Sequence, residues 1–564
     1  MPALEESGNV ASWPASKARH QFRTNPEYEG KSTSGFCMRH VQTNLAILPA
    51  SLADEFEQFC NLNKAPCPLL YKSKPGELSA GNLAQDSDVR TDLPMYWVSE
   101  NGNVTKKVGN LTSYPLEDYV SFYLGCSFSF EDALMKAGIE LQHIVKKRNV
   151  SMFKTNISCL PVGPFDCPMV VSMRPIPREL VEKTVIVTAA YDAVHGAPIH
   201  IGDPSVIGID DIDKTNFGES SDVADMIPVF WACGVTSSVA KLGPELPLSF
   251  SHQPGSMFIC DTTLEEYFRV NKPEHGDEQP KLITLADQPF LASVCSETAF
   301  KKVEKLSKLL GHQSGFEGDV YDSDFLKISA RLSHAPSVVI GILDEEIIPS
   351  SDLATSDGLQ GVITLVKALQ AVKKKITIIT EHNSQVIHDC ITANASQGIS
   401  EKDVHVVTLE DSGNLKDRLF TGNVNHKLDT VIALQMTTEF SNSNSGSERT
   451  IQVGLVDKLF QEVYSFQNGI VSVKITTNRQ ETLPNGNYSS VYSHVMVANS
   501  VQTAALGLSA ALYVLNSCPI HSRYQRHGIG KREVFQVGQF LVNNTEQGGE
   551  ASSFEVEGDV LYTK

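Results

Sequence analysis

Two histidines five residues apart open a run dense in reactive side chains, His195-Gly-Ala-Pro-Ile-His200-Ile-Gly-Asp203-Pro, which closes on Pro228-Val-Phe-Trp-Ala-Cys233-Gly-Val-Thr236. Imidazoles titrate near neutrality and can move protons in either direction, so His195 and His200 are candidate acid/base groups. The competing role for each is to staple a loop. Asp203, between Gly202 and Pro204, can orient a histidine or close an Asx turn. Cys233 can act as a nucleophile, forming a thioester with a carboxyl group, or be a packed thiol. The Thr236 hydroxyl and the backbone amides near Gly234 can hold an oxyanion. Arg174 leaves the apolar run Pro168-Met-Val-Val-Ser-Met with a guanidinium that can clamp a carboxylate bidentately, or form a salt bridge at a strand end. His252 and Asp261 are weaker candidates, His252 on the substrate-binding side. No cofactor is predicted. A divalent metal held by His195, His200, Asp203, Asp210, Asp211 and Asp213 stays open, although the spacing matches no recognised ligand set and the acids read as a solvated loop.

Gly and Pro interrupt every apolar run between His195 and Thr236, so these groups sit on turns that a scaffold must hold. The flanking pattern predicts strands over Met152–Asn156 and Pro168–Arg174, then a helix over Glu179–Ala190 with a strand after it. Strands are also predicted over Leu248–His252 and Met257–Asp261, joined by a Pro-Gly turn. Upstream, Ser51–Asp54 reads as a capping box opening a helix to about Cys60, and Ser129–Asp132 as a second one whose helix ends at Gly138. Leu116–Leu124 reads as a helix. Met95–Val98 reads as a strand ended by the hairpin signal Asn101-Gly102. Asn271–Lys281 is charged and turn-rich. Ser296 caps a helix with Val303, Leu306 and Leu310 on one face. From Ser337 the texture changes to strand, helix, strand, which spells a parallel sheet, and Thr503–Asn516 reads as a buried helix.

The expected fold class is therefore α/β, with two mixed α/β domains. Residues 1–44 read as a flexible tail or weak transit segment. Residues 45–270 form the first domain, 271–285 a linker and 286–564 a second α/β domain with βαβ units. A chain of 564 residues has room for this. Its formal charge of −19 argues against a nucleic-acid or anionic-membrane partner, since both need a basic face. No run of apolar residues is long enough to span a membrane. Eleven scattered cysteines without CxxC or zinc spacing read as free thiols.

The string HGAPIHIGDPSVIGI followed by PVFWACGVT resembles the D-glutamate cyclases and their bacterial hydro-lyase relatives. So do PCPLL at Pro66–Leu70, RTDLP at Arg90–Pro94, LGCSFSFEDAL at Leu124–Leu134, TNISC at Thr155–Cys159, VVSMRPI at Val170–Ile176 and PGSMFICD at Pro254–Asp261. The second half resembles the C-terminal domain of the two-domain animal cyclases through LSHAPSVVI at Leu332–Ile340 and ALYVLNSCPIHSRY at Ala511–Tyr524. It departs from them at three loops. Asp357-Gly358-Leu-Gln-Gly361 stands for an Asp-Gly-Pro-Pro-Gly turn, Gln435-Met436 for a Glu-Arg pair, and Thr476–Glu481 for a Gly-Asp-Gly-Gly-Asn-Glu loop.

The resemblance implies a lyase that joins the α-amine of D-glutamate to its own γ-carboxyl, releasing water and 5-oxo-D-proline. Arg174 would then neutralise the carboxylate, with Thr236 and His252 beside it to bind substrate. His195, His200, Asp203 and Cys233 would carry proton transfer or nucleophilic attack. The implied partner is a small amino acid, with a homo-oligomer open, and the implied location is the mitochondrial matrix, with the cytoplasm as the alternative. The three departures favour a competing reading, a catalytically lapsed paralogue that binds a glutamate-like ligand or a partner protein.

Overall fold

The computed structural model describes residues 10–240, 248–273, 275–314 and 320–335, then the separate stretches 337–342, 357–380, 385, 387–389, 404–408, 430–434, 471–476, 494–497, 501–522, 554–557 and 560–563. The chain divides into two compact units, Met1–Val294 and Cys295–Lys564.

Unit 1 is built on two sheets. The first contains β1 (His40–Pro49), β2 (Leu69–Lys72), β3 (Tyr96–Glu100), β4 (Asn103–Val108) and β5 (Tyr119–Gly125). The second contains β6 (Ser151–Ser158), β7 (Pro168–Ile176), β8 (His200–Gly202) and β9 (Ile227–Ala232). The strands β10 (Leu248–His252) and β11 (Phe258–Thr263) return to the first sheet, and β12 (Pro280–Asp287) and β13 (Phe290–Ser296) complete the second. The orders are β2-β5-β1-β10-β3-β4, with β11 also on β1, and β12-β13-β8-β9-β7-β6.

Alternation puts Ala46, Leu48, Phe122 and Leu124 of the first sheet in one core with Phe153, Val171, Met173, Phe230 and Ala232 of the second. Phe56 and Phe59 of the helix Ala53–Leu62 join that core. Residues of opposite parity therefore face away from it, and Ser172 and Arg174 on β7 and Trp231 on β9 are among them.

Four expectations are corrected here. Leu116–Leu124 is not a helix: Tyr119–Gly125 is β5, paired with β1 along its length and with β2 on its other edge. Its Tyr, Val and Phe content suits a pleated surface, and pairing on both sides overrides the local pattern. The two capping boxes do not form either. The helices begin at Ala53 and Glu131 with no side-chain cap, because Ser129 is spent on the backbone of Gln42. Residues 10–44 are not a tail. The helix Ala15–Thr24 buries Ala15, Ala18 and Arg19, and Trp13, Phe36 and Ile259 close a small core around it. Part of the expected 271–285 linker is strand, since β12 starts at Pro280. The helix over 181–189, the strands β10 and β11, and the β3–β4 hairpin, with Asn101 and Gly102 both at positive φ, follow the sequence reading.

Unit 2 is a parallel α/β sheet. Strands β14 (Ser337–Ile342), β15 (Lys375–Thr380), β16 (Val404–Thr408), β17 (Thr430–Leu434), β18 (Val471–Thr476) and β19 (His494–Val497) run in the order β16-β15-β14-β17-β18-β19. Every recorded pairing among them is parallel. The helix Asp357–Ala371 makes the β14-to-β15 crossover, and Val501–Ser517 is the small-residue helix. Ser296 Oγ accepts from the Ala299 amide at the head of the helix Glu297–Ser314, as a cap should. Positions 435–436 and 477–481, where two of the departures fall, lie outside the described residues, as does the Asp357 side chain.

Candidate functional site

The outer face of β7 carries a charged centre sealed from water. Arg174 is 1% exposed and Glu131 0%. The Arg174 Nη2 donates to Glu131 Oε1 at 2.7 Å and to Ser127 Oγ at 3.1 Å, and Nη1 donates to Ser172 Oγ at 3.3 Å. The guanidinium lies over the rings of Phe130 and Trp231, at 5.3 and 5.4 Å, a cation–π box that suits a desolvated arginine. Trp231 Nε1 is fixed in turn by Thr188 Oγ1 of the helix Val181–Ala189.

Glu131 opens the helix Glu131–Lys136, where the helix dipole favours a carboxylate. It has two further partners, His143 Nε2 at 2.7 Å and the Ser34 hydroxyl, which donates to Oε2 at 2.8 Å. Burial alone would push the Glu131 carboxyl up. The imidazole of His143 and the guanidinium of Arg174 outweigh it and hold the carboxyl below its ordinary value. Arg174 Nε, also buried, has no hydrogen-bond partner among the described residues.

Cys233 follows the last residue of β9, within electrostatic reach of Arg174. Burial pushes its thiol up to about 11 despite that charge, so the thiolate a nucleophile needs is scarce at neutral pH. Across from it, burial also raises the Cys126 thiol. Thr236 is a fastener: its hydroxyl donates to the Cys233 carbonyl at 2.7 Å and accepts from the Val170 amide at 2.9 Å. Between these segments sits Asn44 of β1, whose Nδ2 donates to the Gly125 carbonyl at 2.7 Å. Two glycines permit the approach. An added Cβ at Gly234 would lie 2.0 Å from Asn44 Nδ2, and one at Gly125 would lie 1.9 Å from the Ala193 carbonyl.

The three histidines bind three different stretches of backbone. His195 takes a left-handed φ of 86° and places Nδ1 2.8 Å from the Ala65 carbonyl, a conformation that costs about 1 kcal/mol or more for a residue with a Cβ. His200 Nε2 lies 2.6 Å from the Asp203 carbonyl. Asp203 forms the Asx turn through the Ser205 amide. His252 Nδ1 lies 3.1 Å from both the amide and the carbonyl of Leu45, and burial pulls its pKa down to about 4. Among the described residues no group of three His, Cys, Asp or Glu side chains is placed to hold a metal.

The structure thus brings Arg174, Cys233 and Thr236 to one edge of β7. It adds Glu131, His143, Ser127 and Asn44, which the sequence reading did not select. Glu131 and Ser127 had a signal, since both lie in the LGCSFSFEDAL segment, where an acid follows two phenylalanines. Asn44 had another: Gln42-Thr43-Asn44 is a polar triplet inside an otherwise apolar strand.

Arg174, Glu131 and His143 thus form a buried guanidinium–carboxylate–imidazole cluster on a two-sheet scaffold. The sequence model of the family described as D-glutamate cyclase matches residues 120–261, which span this centre. A protein named "Putative hydro-lyase" from Bradyrhizobium sp. (strain BTAi1) is 45% identical over 258 residues, 46% of this chain and 94% of that protein. Proteins with the same description from Methylobacterium radiotolerans and Streptomyces avermitilis are 48% and 42% identical, covering 85% and 96% of their own lengths. The chain belongs to the D-glutamate cyclase family, and its class is lyase-like. These relatives match 41–47% of the chain.

Proposed function

We propose that this chain closes D-glutamate on itself to give 5-oxo-D-proline and water, and that unit 1 carries the reaction around Arg174. The observation that supports this most is the sealed Arg174–Glu131–His143 centre within the family-matched segment. Closing the ring needs no redox change. The ammonium nitrogen gives up two protons and attacks the γ-carboxyl carbon, and one carboxylate oxygen leaves with both protons as water. A guanidinium that neutralises the carboxylate lets the nitrogen approach, and a fixed site that folds the substrate supplies the orientation. In this reading Arg174 neutralises the γ-carboxyl through its remaining donors, Thr236 and His252 border the substrate, and His195, His200 with Asp203, and Cys233 are the groups for proton transfer or attack.

One observation favours a second reading, a ligand-binding protein without turnover. Glu131 already occupies Arg174 as a carboxylate partner, in the role that the cyclase reading gives to substrate.

Purified full-length protein is incubated with D-glutamate and separately with L-glutamate, and 5-oxoproline is followed by chiral chromatography. The expected result is product from the D-isomer, lost in Arg174→Ala, Glu131→Gln and His200→Ala variants that keep the wild-type circular dichroism. No product from either isomer, with saturable D-glutamate binding by calorimetry, selects the second reading.

A further inference from the structure

The core between the two sheets of unit 1 holds four thiols that the proposed reaction does not use. Cys60 lies in the last turn of the helix Ala53–Leu62, and Cys67 ends the turn that follows, its amide bonded to the Asn63 carbonyl. Cys159 and Cys167 face each other just past the ends of β6 and β7. Ser158 pairs with Pro168, so the next register pairs these two, and the Cys159 amide donates to the Cys167 carbonyl at 3.0 Å. None of the four is more than 3% exposed. Asn63 bridges the first two, its amide donating to the Cys60 carbonyl at 3.2 Å and its carbonyl accepting from the Cys67 amide at 3.0 Å. Cys60 pushes the Cys67 thiol up, Cys159 does the same to Cys167, and Cys67 lies within electrostatic reach of the second pair. Asn63 ties the two segments together through both bonds it makes to the backbone of Leu160. Opposed residues in an antiparallel ladder have Cα atoms about 4.5–5.5 Å apart, inside the disulfide range of about 4.4–6.8 Å.

We propose that Cys60–Cys67 and Cys159–Cys167 are two dithiol–disulfide pairs, oxidised by a low-molecular-weight disulfide of the glutathione type. One cysteine thiolate attacks a sulfur of the oxidant and releases one small thiol. The second cysteine attacks the mixed disulfide and releases the other. Each pair loses two hydrogens and two electrons, and one oxidant becomes two thiols. The attacking species is the thiolate. In the closed core the partner cysteine and burial suppress it at Cys67 and at Cys167. Oxidation therefore runs through local opening of the 60–67 turn and the 159–167 hairpin.

Both pairs reach the central stretch. Closing Cys60–Cys67 brings the two sulfurs to about 2.05 Å. Cys60 is held in a helix, so the 63–67 turn moves, and that turn carries the Ala65 carbonyl that anchors His195. Closing the other pair removes the bond that Cys167 Sγ donates to the Thr236 carbonyl at 3.7 Å. The effect on turnover rests on the cyclase reading, but the pairing itself does not.

Full-length reduced protein is incubated with oxidised glutathione, denatured in N-ethylmaleimide, digested and mapped by mass spectrometry. Expected are loss of these four alkylatable thiols, crosslinks 60–67 and 159–167, and a slowing of 5-oxoproline formation that dithiothreitol reverses. Cys67→Ala should keep the 159–167 crosslink, and Cys159→Ala the 60–67 crosslink, each checked for native circular dichroism. Four thiols still alkylated, crosslinks to other cysteines, or a stoichiometric zinc ion shielding all four would overturn the pairing. Crosslinks without a change in turnover overturn the link to His195. If the reduced protein makes no product, the cyclase reading fails, and the crosslink map still decides the pairing.

Discussion

His252 shows how burial changes what a residue can do. A histidine at the end of a strand beside the central stretch reads as a substrate-binding group, because a free imidazole titrates near neutrality. Inside unit 1 burial pulls it down to about 4, so it is neutral at physiological pH and cannot serve there as a cationic carboxylate partner. The unfolded chain, with a pKa of about 6.5, takes up a proton that the folded chain refuses. The depressed folded pKa means stability is full above about 6.5 and is lost as pH falls toward 4, by about 3 kcal/mol in all. Urea midpoints measured across that window should fall with pH in the wild type and stay flatter in His252→Asn. Equal slopes would show that another group carries the dependence. Arg174 was legible as a cation at the exit of an apolar run. Its partner Glu131 was not. An acid in the first turn of a helix looks the same in sequence whether it caps, solvates or neutralises, and only the contact across 43 positions separates these roles.

Elements were legible where local pattern and tertiary demand agree. β7, β10, β11 and the helix over 181–189 carry periodicity and turn signals that packing then uses. β5 failed because its neighbours on both edges, not its own sequence, make it a strand. The first forty residues failed because a short polar helix can be held by a few buried charges instead of an apolar stripe. Arg19 bonds the Ile259 carbonyl and the Asp261 carboxylate of β11, both at 2.8 Å, and lies 3.4 Å from the buried Asp92, which also pairs with Arg23. Removing one partner from a buried ion network costs about 3–5 kcal/mol. Arg19→Ala should sit near the lower end, since Arg23 still faces Asp92. Denaturant unfolding checks this: a change within experimental error would make the helix Ala15–Thr24 an ornament of unit 1 and not part of it.

At the scale of the whole molecule, unit 1 has its own core and two complete sheets, and the matched bacterial proteins are about one unit long, since 258 residues span 94% of one of them. A fragment of residues 1–296, which keeps β13 whole, should unfold in one cooperative transition, and the full chain should show that transition together with a second from unit 2. A fragment that lacks near-ultraviolet circular dichroism would mean that unit 1 needs the rest of the chain to fold.

By itself the sequence determined the family and the two-part α/β plan, and it marked out a segment dense in polar side chains. Composition, turn residues and ordered motifs are local properties, and they survive without coordinates. The tertiary structure decided which of those groups meet. Pairing and parity turn Arg174 to the outer face of β7, bring Glu131 and His143 to it from separate helices, and spread the three histidines onto three different backbones. Those outcomes depend on contacts between residues far apart in the chain, and on the water that burial removes, neither of which a linear pattern records.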